Sequence, residues 1–215
     1  MSIFAHCARA VCGLAIFFSS INLFAADLSF VVRDQSGEPL ANAVIELESS
    51  AHSSPQSLPV AIMDQVDKQF SPSVLVIQPG QSVDFPNSDN IRHHVYSFKH
   101  SKVFDIKLYS DRPEQPERFE DPGVVVLGCN IHDSMVGYIY VANSNKVIKT
   151  NADGKVTLNG VTLPTTFTVW HPNQLTPLTK KQSVTLSEQG KDVSINVQEP
   201  APRNTFGEMF KGNND

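Results

Sequence analysis

Short runs of alternating apolar and polar residues recur along the chain, and almost all of them have the period of a half-buried strand. "LSFVVRDQSGEPLANAVIELES" alternates on both sides of a turn signal, Asp34-Gln35-Ser36-Gly37, and predicts a hairpin in which Phe30 to Arg33 pairs with Ala43 to Leu47. "SAHSSPQSLP" follows, rich in Ser and Pro and poor in apolar residues, and has the composition of a linker. A second block then offers strands at Ala61 to Val66, Val74 to Gln78, Ser82 to Phe85, His94 to Phe98, Val103 to Leu108, Val124 to Cys129 and Gly137 to Ala142, separated by Pro, Gly, Asn and Asp. The Pro-rich stretch "SDRPEQPERFEDPG" is expected to be a surface loop crossing between sheets. Beyond Asn143 a turn at Thr150 to Lys155 precedes strands at Val156 to Leu158, Thr166 to Trp170, Ser183 to Leu186 and Val193 to Val197. Strands this short, with no helical period between them, predict an all-β fold, a two-sheet antiparallel sandwich. The polar tail from Pro200 to Asp215 is expected to be disordered.

One stretch carries chemistry as well as pattern. From Gly123 to Val141 two apolar strands are joined by a loop bearing Cys129, His132 and Met135, with two residues between each donor and the next. Upstream, "FPNSDNIRHHVYSF" brings His93 and His94 to a strand start, where either could supply a second imidazole. Two imidazoles, one thiolate and a weak axial thioether form the ligand set of a blue-copper electron-transfer site. Neighbouring strand residues face opposite sides, so at most one of His93 and His94 can point at a metal. A free cysteine packed in a core is the plainer reading of Cys129, and core filler that of Met135.

Composition sharpens the picture at the first end of the chain. Arg9, an apolar run from Val11 to Phe18 and small residues in "NLFAAD" make residues 1–26 resemble a secretory signal peptide, which implies periplasmic export. Ser19, Ser20 and Asn22 interrupt the run, which argues against a membrane anchor. Cleavage would remove Cys7 and Cys12 and leave Cys129 as the one cysteine of the mature chain, where an oxidising compartment makes an unheld thiol a liability. The balance of 17 Lys and Arg against 22 Asp and Glu gives a net charge of −5 over 215 residues, which argues against a nucleic-acid partner.

Residues 57–143 resemble the cupredoxins, and the Cys-His-Met spacing is most similar to that of the amicyanins. "QFSPSVLVIQPGQSVDFPN" is similar to the family's opening strands, and the family's first copper histidine, counted from Phe85, falls at His93-His94-Val95. "HHVYSF" and "LGCNIHDSMVGYIYV" also look like phrases of exported plastocyanin-like proteins often labelled methylamine utilisation proteins, although nothing in these residues selects that pathway. The resemblance implies one type 1 copper held by His93, Cys129, His132 and Met135, with His94 as the alternative to His93. It also implies electrons leaving through His132, and Asn87 and Asn130 as supporting residues by motif position. The flanks, 27–50 and 144–199, are similar in order to carboxypeptidase regulatory-like domains, as though the cupredoxin were inserted into a second small β-sandwich. The alternative is a single enlarged sandwich.

The expected function is a monomeric electron carrier that is not itself an enzyme and serves unidentified redox protein partners, with no stable membrane insertion. A copper-handling protein, either chaperone or sensor, is the alternative, although four Met residues leave little for a thioether-rich site. Copper oxidase or reductase chemistry would require further paired histidines, and a structural zinc would seldom recruit Met.

Overall fold

In the computed structural model, which describes residues 25–48, 58–97 and 101–198, the alternating runs form strands and no helix occurs among the described residues. The protein is all-β. The leader, most of the Ser- and Pro-rich linker and the polar tail lie outside the described residues. Two strands come first, β1 (Ala26–Arg33) and β2 (Val44–Leu47). The middle of the chain forms β3 (Ala61–Ile62), β4 (Asp64–Val66), β5 (Gln69–Ser71), β6 (Val74–Ile77) and β7 (Gln81–Asp84). It continues with β8 (His93–Ser97), β9 (Phe104–Tyr109), β10 (Glu117–Phe119), β11 (Gly123–Cys129) and β12 (His132–Val141). The last part forms β13 (Val147–Lys149), β14 (Lys155–Val161), β15 (Thr165–Trp170), β16 (Gln182–Leu186) and β17 (Val193–Ser194). No helix among the described residues is long and apolar enough to cross a membrane.

The middle strands make a five-stranded sheet, β6-β12-β11-β8-β9, a three-stranded sheet, β10-β7-β3, and the hairpin β4-β5. They enclose one apolar cluster that includes Val83, Phe85, Val95, Phe104, Phe119, Val125, Leu127 and Ile139. The flanking strands make the sheets β14-β1-β17 and β13-β2-β15-β16 around a separate cluster. Strict alternation in β1 sends Leu28, Phe30 and Val32 into that cluster, where the Phe30 ring stacks on Phe167 at 5.1 Å between centroids.

A third cluster, Val44, Val74, Val124, Tyr140, Ala142 and Trp170, joins the two assemblies. At its edge the buried Glu46 carboxylate accepts hydrogen bonds from the Tyr140 hydroxyl at 2.7 Å and the Ser144 amide at 2.7 Å, and pairs with Lys181 at 2.5 Å. A buried carboxylate is tolerated only when satisfied in this way.

Three expectations need correction. The turn at Asp34 to Gly37 is present, but β1 and β2 do not pair across it. β2 instead lies between β13 and β15, and all four of its residues are buried because one face meets the flanking cluster through Ile45 and Leu47 and the other meets the joining cluster through Val44. The Pro-rich stretch is not wholly loop, because Glu117–Phe119 adds a strand to the edge of β7 and buries the Phe119 ring. Pro is tolerated beside such an edge strand. The run from Ala61 to Val66 is broken at the buried Met63 into β3 and β4, which belong to different sheets.

Candidate metal centre

The loop between β11 and β12 is shaped by a change of register. Pairing runs regularly to Gly128↔Val136 and then steps to Cys129↔His132, so Asp133, Ser134 and Met135 bulge out of the ladder. The tight turn at Asn130-Ile131 therefore sets Cys129 directly opposite His132. Cys129 ends β11 on the face that also buries Val125 and Leu127. The bulge leaves Asp133, Ser134 and Val136 exposed while Met135, 1% exposed, turns into the same buried cluster as Cys129.

The third donor comes from the neighbouring strand. β8 pairs with β11 through Cys129↔Val95, and His93, two residues from Val95, shares its buried face. His94 falls on the other face, where its Nε2 meets the Asp105 carboxylate and its ring lies edge-on to Tyr96. The structure thus brings together His93, Cys129 and His132, and it sends the His94 ring elsewhere.

Their spacing is that of metal donors. His93 Nδ1 lies 3.5 Å from Cys129 Sγ, and His132 Nδ1 lies 3.7 Å from the same sulfur. All three donor atoms lie within 4.8 Å of one another, and the two imidazole centroids are 4.9 Å apart. Metal bonds of about 2.0–2.1 Å to imidazole nitrogen and about 2.3 Å to thiolate sulfur, opened to a trigonal angle, separate N and S by about 3.7 Å. The donors therefore already stand where one ion would hold them. A soft thiolate with two imidazoles suits copper, and a thioether from Met135 would complete a His₂CysMet set.

Burial differs among the three. His93 and Cys129 are enclosed, whereas His132 is half-buried. His132 is thus the one of the three that reaches solvent, in a loop whose exposed residues include Ile131, Asp133 and Ser134.

Asp89 was not among the sequence candidates. Its carboxylate Oδ2 lies 2.8 Å from His93 Nε2, on the side of the ring away from the sulfur. Burial raises the Asp89 pKa, but the Lys68 amide, His93 and the Asp67 amide all favour the ionised form, and the net effect is a value below the ordinary carboxylate range. The one sequence signal was an acidic residue four positions before a histidine, which is too common to single out.

The two asparagines have different roles. Asn87 is buried and organises the loop before β8: its Nδ2 donates to the Ile91 carbonyl at 2.8 Å and its Oδ1 accepts from the Asp89 amide at 3.0 Å. Asn130 is exposed, and its amide donates to the His94 carbonyl at 3.1 Å, tying the loop to β8. Of the scattered histidines, His52 and His100 lie outside the described residues, and His171 is buried in the flanking sheets.

No protein-family model and no curated protein matches this sequence. Solved structures do match its fold. A purple cupredoxin from Nitrosopumilus maritimus is 24% identical over 38% of this chain and 99% of its own, with a TM-score of 0.34. An oxidised amicyanin mutant is 20% identical over 38% of this chain and 81% of its own, with a TM-score of 0.32. The structural neighbours are cupredoxins. A copper-containing nitrite reductase from Thermus scotoductus SA-01 also matches, at 21% identity over 53% of this chain and a TM-score of 0.37, but the matched part is only 28% of that enzyme.

Proposed function

We propose that this chain holds one type 1 copper ion through His93, Cys129, His132 and Met135 and carries single electrons between protein redox partners. The observation that supports this most directly is the Cys129 sulfur set 3.5 Å and 3.7 Å from two imidazole nitrogens. Copper would supply the Cu(I)/Cu(II) couple. The chain's part is to keep the donors in one arrangement through both states. Cys129 and His93 are anchored on paired strands, and the bulge holds Met135 in a packed core, so little rearrangement accompanies electron transfer. His132, as the donor that reaches solvent, is the exit to a docked partner.

The same reading keeps the periplasmic location implied by the leader-like first 26 residues, and it assigns the redox work to residues 57–143. The flanks, 27–50 and 144–199, are read as a second sandwich, a division supported by their separate apolar cluster.

The test is to load purified protein with Cu(II) and record visible and electron paramagnetic resonance spectra. An intense thiolate-to-copper charge-transfer band with narrow copper hyperfine splitting is expected. A pale, ordinary Cu(II) spectrum would overturn the electron-carrier reading.

A further inference from the structure

We propose that Asp89 is a positioning residue that fixes the tautomer of His93 and couples the β4-β5 hairpin to the metal centre. The inference rests on the copper reading for its redox consequence, but its structural part stands on the contacts alone.

Nε2 is the ring nitrogen that lies 2.8 Å from Asp89 Oδ2, and a carboxylate oxygen already accepting a backbone amide is matched there by an N–H donor. A neutral imidazole has a single N–H. The geometry thus favours the Nε2–H tautomer for the neutral ring, which leaves the Nδ1 lone pair facing the Cys129 sulfur at 3.5 Å. Without Asp89 the two tautomers would compete, and the wrong one would turn an N–H toward the place a metal must occupy.

Asp89 is itself held from a second direction. Its Oδ1 accepts the Asp67 amide at 2.7 Å and its Oδ2 the Lys68 amide at 3.0 Å. These are the two turn residues of the β4-β5 hairpin, flanked by the pair Val66↔Gln69, and both have positive φ, 52° and 58°. A two-residue turn of this kind normally favours Asn and Gly. Here neither turn residue is either of these, and the carboxylate of Asp89 takes both turn amides. The far side of the hairpin packs on the second ligand strand. The buried Phe70 ring lies so close to Gly137 of β12 that a Cβ there would come within 2.8 Å of it. The hairpin thus braces β12, which carries His132 and Met135, and through Asp89 it braces His93.

A carboxylate behind a ligating histidine raises the ligand's basicity, and losing it typically costs about 10–100-fold in metal affinity. Its negative charge favours Cu(II) over Cu(I). In Asp89→Asn, Cu(II) affinity is expected to fall about tenfold or more. At a fixed applied potential the Cu(II):Cu(I) ratio is expected to fall about tenfold, equivalent to a rise of about 59 mV for one electron.

Because Asp89→Asn also disturbs the turn, the same change should be made in an Asp67→Asn, Lys68→Gly background, whose turn sequence favours positive φ without help. A copper-free measurement keeps this inference separate from the copper reading: long-range ¹⁵N–¹H spectra of the apoprotein, taken well above the ordinary histidine pKa. His93 is expected to be the Nε2–H form in the parent and a mixture of tautomers in both proteins that carry Asp89→Asn. A parent that binds no coloured copper but shows this tautomer change would overturn the electron-carrier reading and leave Asp89 as the orienting group. An unchanged His93 tautomer in both folded variants, or an unchanged Cu(II):Cu(I) ratio in a parent and variant that both bind coloured copper, would overturn the role given to Asp89.

Discussion

His93 and His94 are adjacent in sequence and opposite in fate, because a strand alternates its faces. Removing either ring should therefore have unequal effects. His93→Gln is expected to abolish the charge-transfer band of the copper-loaded protein, while His94→Gln, which loses the contacts with Asp105 and Tyr96 on the other face, should keep it. Met135 can be separated from core filler in a similar way. Leu has nearly its volume, so Met135→Leu should cost less than about 1.5 kcal/mol in denaturant unfolding of the apoprotein. A change in the visible spectrum of the copper form at that small stability cost would mark the thioether as a ligand, and an unchanged spectrum would leave it as packing. At this scale the sequence was informative where candidates are close along the chain: spacing singled out Cys129, His132 and Met135, of which the structure brings the first two together with His93 and buries the third in the same cluster as Cys129. The alternation rule showed that only one of His93 and His94 could face inward but not which, since that depends on the pairing of Val95 with Cys129. Asp89 was illegible, because its meaning comes from a loop folded back onto the turn amides of a hairpin that its own sequence does not mention.

Among the elements, the β4-β5 hairpin and the bulge in β12 contribute most to the site, and neither could be read from apolar pattern. β5 is a three-residue strand whose single inward residue, Phe70, is too little signal to detect. Its importance is in packing: Gly137→Ala would drive a methyl group into the Phe70 ring and should destabilise the apoprotein by about 1–3 kcal/mol in chemical unfolding, the usual cost of overpacking a filled core. Existing strands were legible because their alternation is local. Their partners were not, because pairing joins strands distant in sequence and leaves no local mark. β2 shows this best: despite the inviting turn at Asp34 to Gly37 it pairs with β13 and β15, and its four consecutive buried residues pack into two different clusters. The strand β10 was hidden by surrounding prolines, although Phe119 within it was an apolar residue in need of cover.

For the whole molecule, one pH dependence belongs to the flanking sheets rather than to the metal centre. His171 is buried, with Nδ1 accepting the Asn173 amide at 3.1 Å and Nε2 donating to the Ala41 carbonyl at 3.1 Å. Burial holds its pKa below 6.5, and the bond to Ala41 only partly opposes this. Below that pH the unfolded chain takes up a proton that the folded chain refuses, so this contribution to stability is complete above pH 6.5 and declines as the pH falls beneath it. Denaturant midpoints measured across this range should show the decline, and His171→Gln should flatten it. The strand β12 gives the molecule its reach: from His132, opposite Cys129, to Tyr140, opposite Val124 and packed on Trp170 of the flanking sheets, the five regular steps of β11 at about 3.4 Å each span about 17 Å. In the carrier proposed above, a molecule held at the flanking end would stand clear of His132 and leave that edge open to a second one.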